Sequence, residues 1–148
     1  MEQCEPMDLT EQQAAFVASN PVGMITLRAD GTPTAVRVGV AFVDGKLWSS
    51  GTQDRARTRF LRRDPRSTLY ASEASGYNYL SIEARVTIIE GPDAPELNVR
   101  LFRTMQKRPG GPLSWFGGEL SEEEFLRRMI DEKRLIYEFE PLRVSGSL

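Results

Sequence analysis

Six arginines fall within twelve residues, RARTRFLRRDPR at 55–66, in a chain whose formal net charge is only -2. One acid, Asp64, lies among them, so the basicity is local. Guanidinium groups at this density bind anions, and their placement on a helix decides which of them can. At about 100° per residue, a helix over 54–64 puts Arg55, Arg59, Arg62 and Arg63 on one arc and Ala56, Phe60 and Leu61 on the opposite side. Arg57 falls among the apolar residues. The four on the arc are accounted for as a solvated face, whereas Arg57 points toward the body of the protein, where an unpaired guanidinium is costly. Thr52 or Asp54 is the expected N-cap. The first turn of such a helix offers free N–H groups and the positive end of the dipole, which suits phosphate. The spacing leaves two partners open for Arg57: a ligand phosphate, with Arg55 sharing the load, or a carboxylate of the chain such as Glu73 or Glu83.

The rest of the composition narrows the chemistry. There is no histidine, and Cys4 is the only cysteine. Disulfide, zinc and iron–sulfur sites are excluded on that basis, as are catalytic centres of the Ser-His or Cys-His type. Cys4 is read as an incidental thiol in a flexible N-terminal end, residues 1–8. The chain is 40% hydrophobic and 27% charged, ordinary globular usage that argues against disorder. Its 148 residues fit one domain spanning 1–148. No apolar run approaches the ~20 residues of a membrane span, and MEQCEPMDLTEQQ lacks the basic and apolar regions of a signal peptide. A soluble, cytoplasmic protein with no membrane partner is expected. The acidic balance and the lack of a known binding motif argue against nucleic acid.

The elements that must position the arginines are legible from periodicity. Thr10 and Gln13 read as a capping box for a short helix that ends at Asn20-Pro21. VGMITLR (22–28) and TAVRVGVAF (34–42) read as a hairpin, Asp44-Gly45 as a turn, and KLWSS (46–50) as a third strand. STLYAS (67–72) is a short buried strand. The segment 77–91 is a long one with Leu80, Ile82, Ala84 and Val86 on one face. Residues 94–107 and 121–133 are helical, the second opened by Ser121 and Glu124 as another capping box, and 134–144 is a closing strand. Six strands in meander order with a few helices predict a mainly β fold, a small antiparallel barrel with helices packed outside it. Side chains fill a barrel that small, so a ligand must bind on its outside or at a seam between subunits.

DGTPTAVRV, RARTRFLRRDPR and GYNYLSIEARV, in this order, resemble the split-barrel flavin and deazaflavin oxidoreductases. That superfamily includes the pyridoxamine 5′-phosphate oxidases, and the likeness is greatest to the actinobacterial branch that uses coenzyme F-420. The resemblance covers about residues 10–140. It implies a homodimer of six-stranded antiparallel split barrels with the cofactor in a groove between subunits. It also implies that Arg55, Ala56 and Arg57 hold the cofactor phosphate and that Thr34, Val36, Arg37 and Val38 line the deazaflavin ring. Ser50 and Thr52 would approach the ribityl-phosphate, and Tyr77 matches an aromatic near the ring. The implied reaction is hydride donation from C5 of reduced F-420 to an electron-poor double bond, chemistry that needs no histidine; Tyr79 is a candidate proton donor. An FMN-dependent relative and a non-catalytic flavin- or deazaflavin-binding protein are the alternatives. Arg59, Arg62 and Arg63 favour the anionic tail of F-420. Two features depart from the family pattern: Ala84 where relatives commonly have glycine, and the loop 107–120 with Trp115 and Phe116, read either as a lid or as a pinned surface loop.

Overall fold

The computed structural model describes residues 5–148; Cys4 and the rest of 1–4 lie outside the described residues. Helix α1 (Glu11–Ser19) starts as its sequence dictates: Thr10 Oγ1 accepts from the Gln13 N–H at 3.1 Å, and Gln13 Oε1 accepts from the Thr10 N–H at 2.9 Å. Strands β1 (Val22–Leu27) and β2 (Pro33–Val38) form the first hairpin, with Met24 opposite Val36. Its turn contains Gly31 at φ +86°, a left-handed conformation that glycine adopts without a Cβ penalty. Strands β3 (Ala41–Val43) and β4 (Lys46–Thr52) form the second hairpin and lead into α2 (Ala56–Arg63). Then follow β5 (Arg66–Ser72), β6 (Tyr79–Ile89), α3 (Ala94–Gln106), β7 (Leu113–Trp115), β8 (Gly118–Leu120), α4 (Glu122–Asp131) and β9 (Arg134–Ser147).

Seven strands form one antiparallel sheet in the order β2-β1-β5-β6-β9-β4-β3. The sequence expectation of six strands treats 34–42 as continuous. The chain instead breaks at Gly39-Val40, and the two halves become the opposite edges of the sheet. Ser49 Oγ donates to the Gly39 carbonyl at 2.8 Å, taking an acceptor that a continuous strand would give to a ladder. Only two residues link the edges, so Val38 and Ala41 are at most about 11 Å apart. The sheet therefore curls until its edges approach without pairing, and the barrel is open there, with seven paired strands rather than six.

The interior is filled, as the alternation in 77–91 predicts: Leu80, Ile82, Ala84 and Val86 are all buried, alongside Met24, Leu69, Leu135 and Tyr137. Ala84 belongs to the same inward row as Leu80, Ile82 and Val86, so its methyl packs inside instead of crowding an outer surface; the register shift beside it leaves Leu142 of β9 unpaired. Helix α2 packs against the barrel, contributing Leu61 to the interior cluster. Helix α3 covers the outer face of β3, β4 and β9 through Leu101 against Ala41, Val43, Trp48 and Ile136. Helix α4, opened by the Ser121–Glu124 capping box, packs on α3 through Phe125 and Met129. The chain is docked from Met7 onward, whose N–H donates to the Pro141 carbonyl at 2.9 Å. Among the described residues no helix is long and apolar enough to cross a membrane.

The segment 107–120 is structured. Arg103 donates to the Arg108 and Gly111 carbonyls and to Glu122, and Trp115 packs edge-on against Phe102 and Phe125 at 5.5 and 5.3 Å. Trp115 thus pins the β7–β8 hairpin to the helices. Phe116, at its tip, is 90% exposed.

Candidate functional site

Where β4 ends, the chain turns into α2 beside the free edge β2, and the two elements bound a cleft of about 340 Å³ lined by Arg28, Thr34, Val36, Arg55, Ala56, Arg57 and Phe60. Helix α2 has eight residues, and Arg55, not Thr52 or Asp54, is its N-cap. Thr52 is still part of β4, paired opposite Arg134, and its carbonyl accepts from Thr58 Oγ1 at 2.7 Å. Arg55 supplies no side-chain acceptor, and the first turn contains no acid. The Thr58 amide donates to the Arg55 carbonyl at 3.1 Å, while the Ala56 and Arg57 amides, which open α2, have neither an intrahelical partner nor a capping side chain, and the positive end of the helix faces the cleft.

Arg57 is the half-buried cation of this cleft. Its Nη2 donates to the Ser50 carbonyl at 3.5 Å, and its Cζ stands 5.7 Å from the centroid of the Tyr137 ring. Its Nε is buried without an acceptor. Burial holds the guanidinium below its ordinary range; Arg55 and Arg134 add repulsion, and Tyr137 opposes both. The group nevertheless stays charged, as arginine does in proteins. Neither carboxylate left open as its partner takes that part: Glu73 accepts from Ser75, and Glu83 faces Arg143 at 3.6 Å. Among the described residues no carboxylate lies within 4.0 Å of Arg57.

The other arginines divide. Arg62 makes a two-bond fork to Glu90 at 2.6 and 2.9 Å, and Arg66 forks to Asp64. Arg63 donates to the Leu27 carbonyl at 2.8 Å and Arg59 to the Asp54 carbonyl at 3.0 Å. The solvated arc expected for α2 is real, but Arg62 is already neutralised by an acid of the chain, which removes it from the cations available to an anionic tail.

The remaining expected residues fall in two places. Val38 follows Thr34 and Val36 on the same face of β2 but packs against the barrel interior. Ser50 points to the opposite side of β4: its Oγ donates to Asn98 Oδ1 at 2.5 Å and accepts from Arg134 Nη1 at 3.3 Å. Arg37 lies on the other face of β2, in a cross-strand row with Gly23 and Tyr70. Tyr79 stacks on Tyr70 at 5.7 Å. Tyr77, 84% exposed, sits in the β5–β6 turn, which starts after Ser72, whose N–H donates to the Pro21 carbonyl. That is the far end of β1 from Arg28, about 20 Å away at about 3.3 Å per residue.

Four participants were not singled out from sequence. Tyr137 lies under Arg57, Thr58 holds Tyr137, Gly51 makes room for the ring, and Arg134 is a second buried cation, paired to Glu132 at 2.7 Å and set over Trp115. Arg28 and Phe60 complete the lining. The signal for Gly51 was available as a glycine inside a strand, which marks a close approach. The signal for Tyr137 was not, because it comes from the far end of the chain.

Comparison with known proteins gives the same architecture. A conserved hypothetical protein of Mycobacterium tuberculosis superposes with a TM-score of 0.73 at 23% identity, over 99% of this chain and 89% of that one. An F420 reductase superposes at 0.65 and 19% identity, over 93% of this chain and 98% of that one. A putative pyridoxamine 5′-phosphate oxidase of Lactobacillus delbrueckii superposes at 0.65 and 16% identity, covering 93% of each chain. Residues 9–145 match the family described as pyridoxamine 5′-phosphate oxidase, and with that match spanning nearly the whole chain, the protein belongs to the pyridoxamine 5′-phosphate oxidase family.

Proposed function

We propose that the protein is an oxidoreductase that binds coenzyme F-420 with its phosphate in the α2 cleft and transfers a hydride to a small organic acceptor with an electron-poor double bond. The observation that carries this reading is Arg57: a half-buried cation with an orphaned buried Nε, no carboxylate partner among the described residues, and an uncapped helix start beside it. A phosphoryl group fits that set of donors, being an anion with several acceptor oxygens. Arg57, Arg55 and the first amides of α2 would hold it, and Thr34 and Val36 on β2 would border the adjoining part of the cofactor. When bound, the cofactor supplies the hydride chemistry; the chain supplies position, charge and exclusion of water.

The site divides into two groups in one copy of the chain. Thr34, Val36 and Arg55 to Arg57 line the cleft, while Arg37, Tyr77 and Tyr79 lie on the other face or at the far end of the sheet. A homodimer in which Tyr77 of one copy meets the cleft of the other joins the two groups, and the exposed Tyr70 beside them supports that surface as the contact.

FMN is the second reading, favoured by the loss of Arg62 to Glu90, since a phosphate alone does not distinguish the two cofactors. Titrating the purified protein with each separates them: F-420 bound more tightly than FMN is expected, and the reverse order overturns the assignment. Oxidation of reduced F-420 by a panel of enones and quinones is also expected. Binding without turnover across the panel would favour a carrier over an enzyme.

A further inference from the structure

We infer that Tyr137 is a positioning residue for Arg57: its buried ring fixes where the phosphoryl-binding guanidinium stands without itself touching the ligand. The inference rests on the phosphoryl reading above. Arg57 is weakly tethered by hydrogen bonds, since its reach to the Ser50 carbonyl is 3.5 Å and its Nε has no acceptor, and 3.5 Å is beyond the usual N–H···O range. Arg55 and Arg134 repel it. A flexible side chain placed this way would lose rotamer entropy on meeting an anion. The Tyr137 ring supplies the missing restraint, with the guanidinium carbon 5.7 Å from its centroid, inside the range of a cation–π contact.

The ring is itself fixed from three sides. It is 0% exposed. The Thr58 hydroxyl gives its single proton to the Thr52 carbonyl, so in the contact between Thr58 Oγ1 and the Tyr137 hydroxyl, tyrosine donates. Gly51 stands where the ring crosses β4, and a Cβ there would collide with Cζ, Oη and Cε2 of Tyr137. Strand β9 carries the ring, β4 leaves a gap for it, and α2 clamps its hydroxyl one residue after Arg57. The ring thereby sets the start of α2, and the cation on it, against the end of the barrel.

The test is a double-mutant cycle read as the dissociation constants of F-420 and FMN. Tyr137→Met is expected to weaken binding about tenfold in the presence of Arg57 and by less than about twofold in an Arg57→Ala background. Tyr137→Phe, which keeps the ring but loses the hydroxyl that Thr58 holds, is expected to weaken binding by less than Tyr137→Met does; a loss as large as that of Tyr137→Met would overturn the role of the ring. Equal losses from Tyr137→Met with and without Arg57 would overturn the inference, because general damage to the fold adds to the Arg57 effect. Wild-type affinity for Tyr137→Met, with Arg57→Ala still weakened, would overturn it and leave the phosphoryl reading standing. Wild-type affinity for Arg57→Ala would overturn both. Should Tyr137→Met not fold, Gly51→Ala displaces the ring without removing it; an Arg57-dependent loss is then expected, and unchanged affinity would contradict the inference.

Discussion

A guanidinium half out of water with no acid beside it is an unfinished interaction. Each charge-assisted hydrogen bond it can make contributes about 1.5–3 kcal/mol, so Arg57→Ala should weaken cofactor binding by about tenfold or more. Arg57→Lys, which keeps the charge and loses the planar fork, should fall between the two; equilibrium titration measures both. The direction of Arg57 was legible in sequence, because 100° per residue places it between Phe60 and Leu61. What held it was not legible. Tyr137 is 79 positions from Thr58, and no local pattern connects them. Gly51 is the residue whose absence of a side chain makes that contact sterically possible, so Gly51→Ala should destabilise the fold by about 1–3 kcal/mol through overpacking, measured by urea unfolding.

Among the elements, α2 departed most from expectation, in its cap rather than its existence. The sequence offered Thr52 and Asp54 as capping residues, but Thr52 is still part of β4, opposite Arg134, and the helix starts later, at Ala56 with Arg55 as its cap. The break at Gly39-Val40 escaped the pattern for a related reason: Val36, Val38 and Val40 alternate through it, and only the long-range bond from Ser49 shows where the ladder stops. Helix α2 is tied to the start of the β6–α3 connection by Arg62 and Glu90, whose carboxyl is held below its ordinary value of 4.5 by the guanidinium. A carboxylate with a lowered folded pKa stabilises above its unfolded value and loses that contribution as pH falls through the folded one. Glu90→Gln should therefore cost under about 1 kcal/mol at neutral pH, the pair being partly exposed, and the gap to wild type should close below pH 4.5. Urea unfolding across that range measures it.

For the whole molecule, the curled sheet explains why the cleft lies where it does. The barrel interior is packed, its one free edge beside the helix start is β2, and the outer face of β1, β5 and β6 carries Tyr70 at 42% exposure next to Tyr79. The alternating strands and capped helices made this architecture readable, down to the capping boxes at Thr10 and Ser121. The homodimer is part of the proposal: it was expected from the family resemblance and not from periodicity, because it depends on surfaces that no local period describes. Sedimentation equilibrium should give a species of twice 16.7 kDa. Tyr70→Glu should shift it to the monomer and weaken cofactor binding at the same time; a monomer that binds at full affinity would separate the cleft from the dimer.

The central claim, that Arg57 grips a cofactor phosphate, is tested most directly by pairing each cofactor with its phosphate-free counterpart: FMN with riboflavin, and F-420 with its deazaflavin riboside analogue. Wild-type protein should bind the phosphorylated member of each pair more tightly, and Arg57→Ala should erase most of that difference while leaving the phosphate-free affinity unchanged. A preference for phosphate that survives intact in Arg57→Ala would contradict the account.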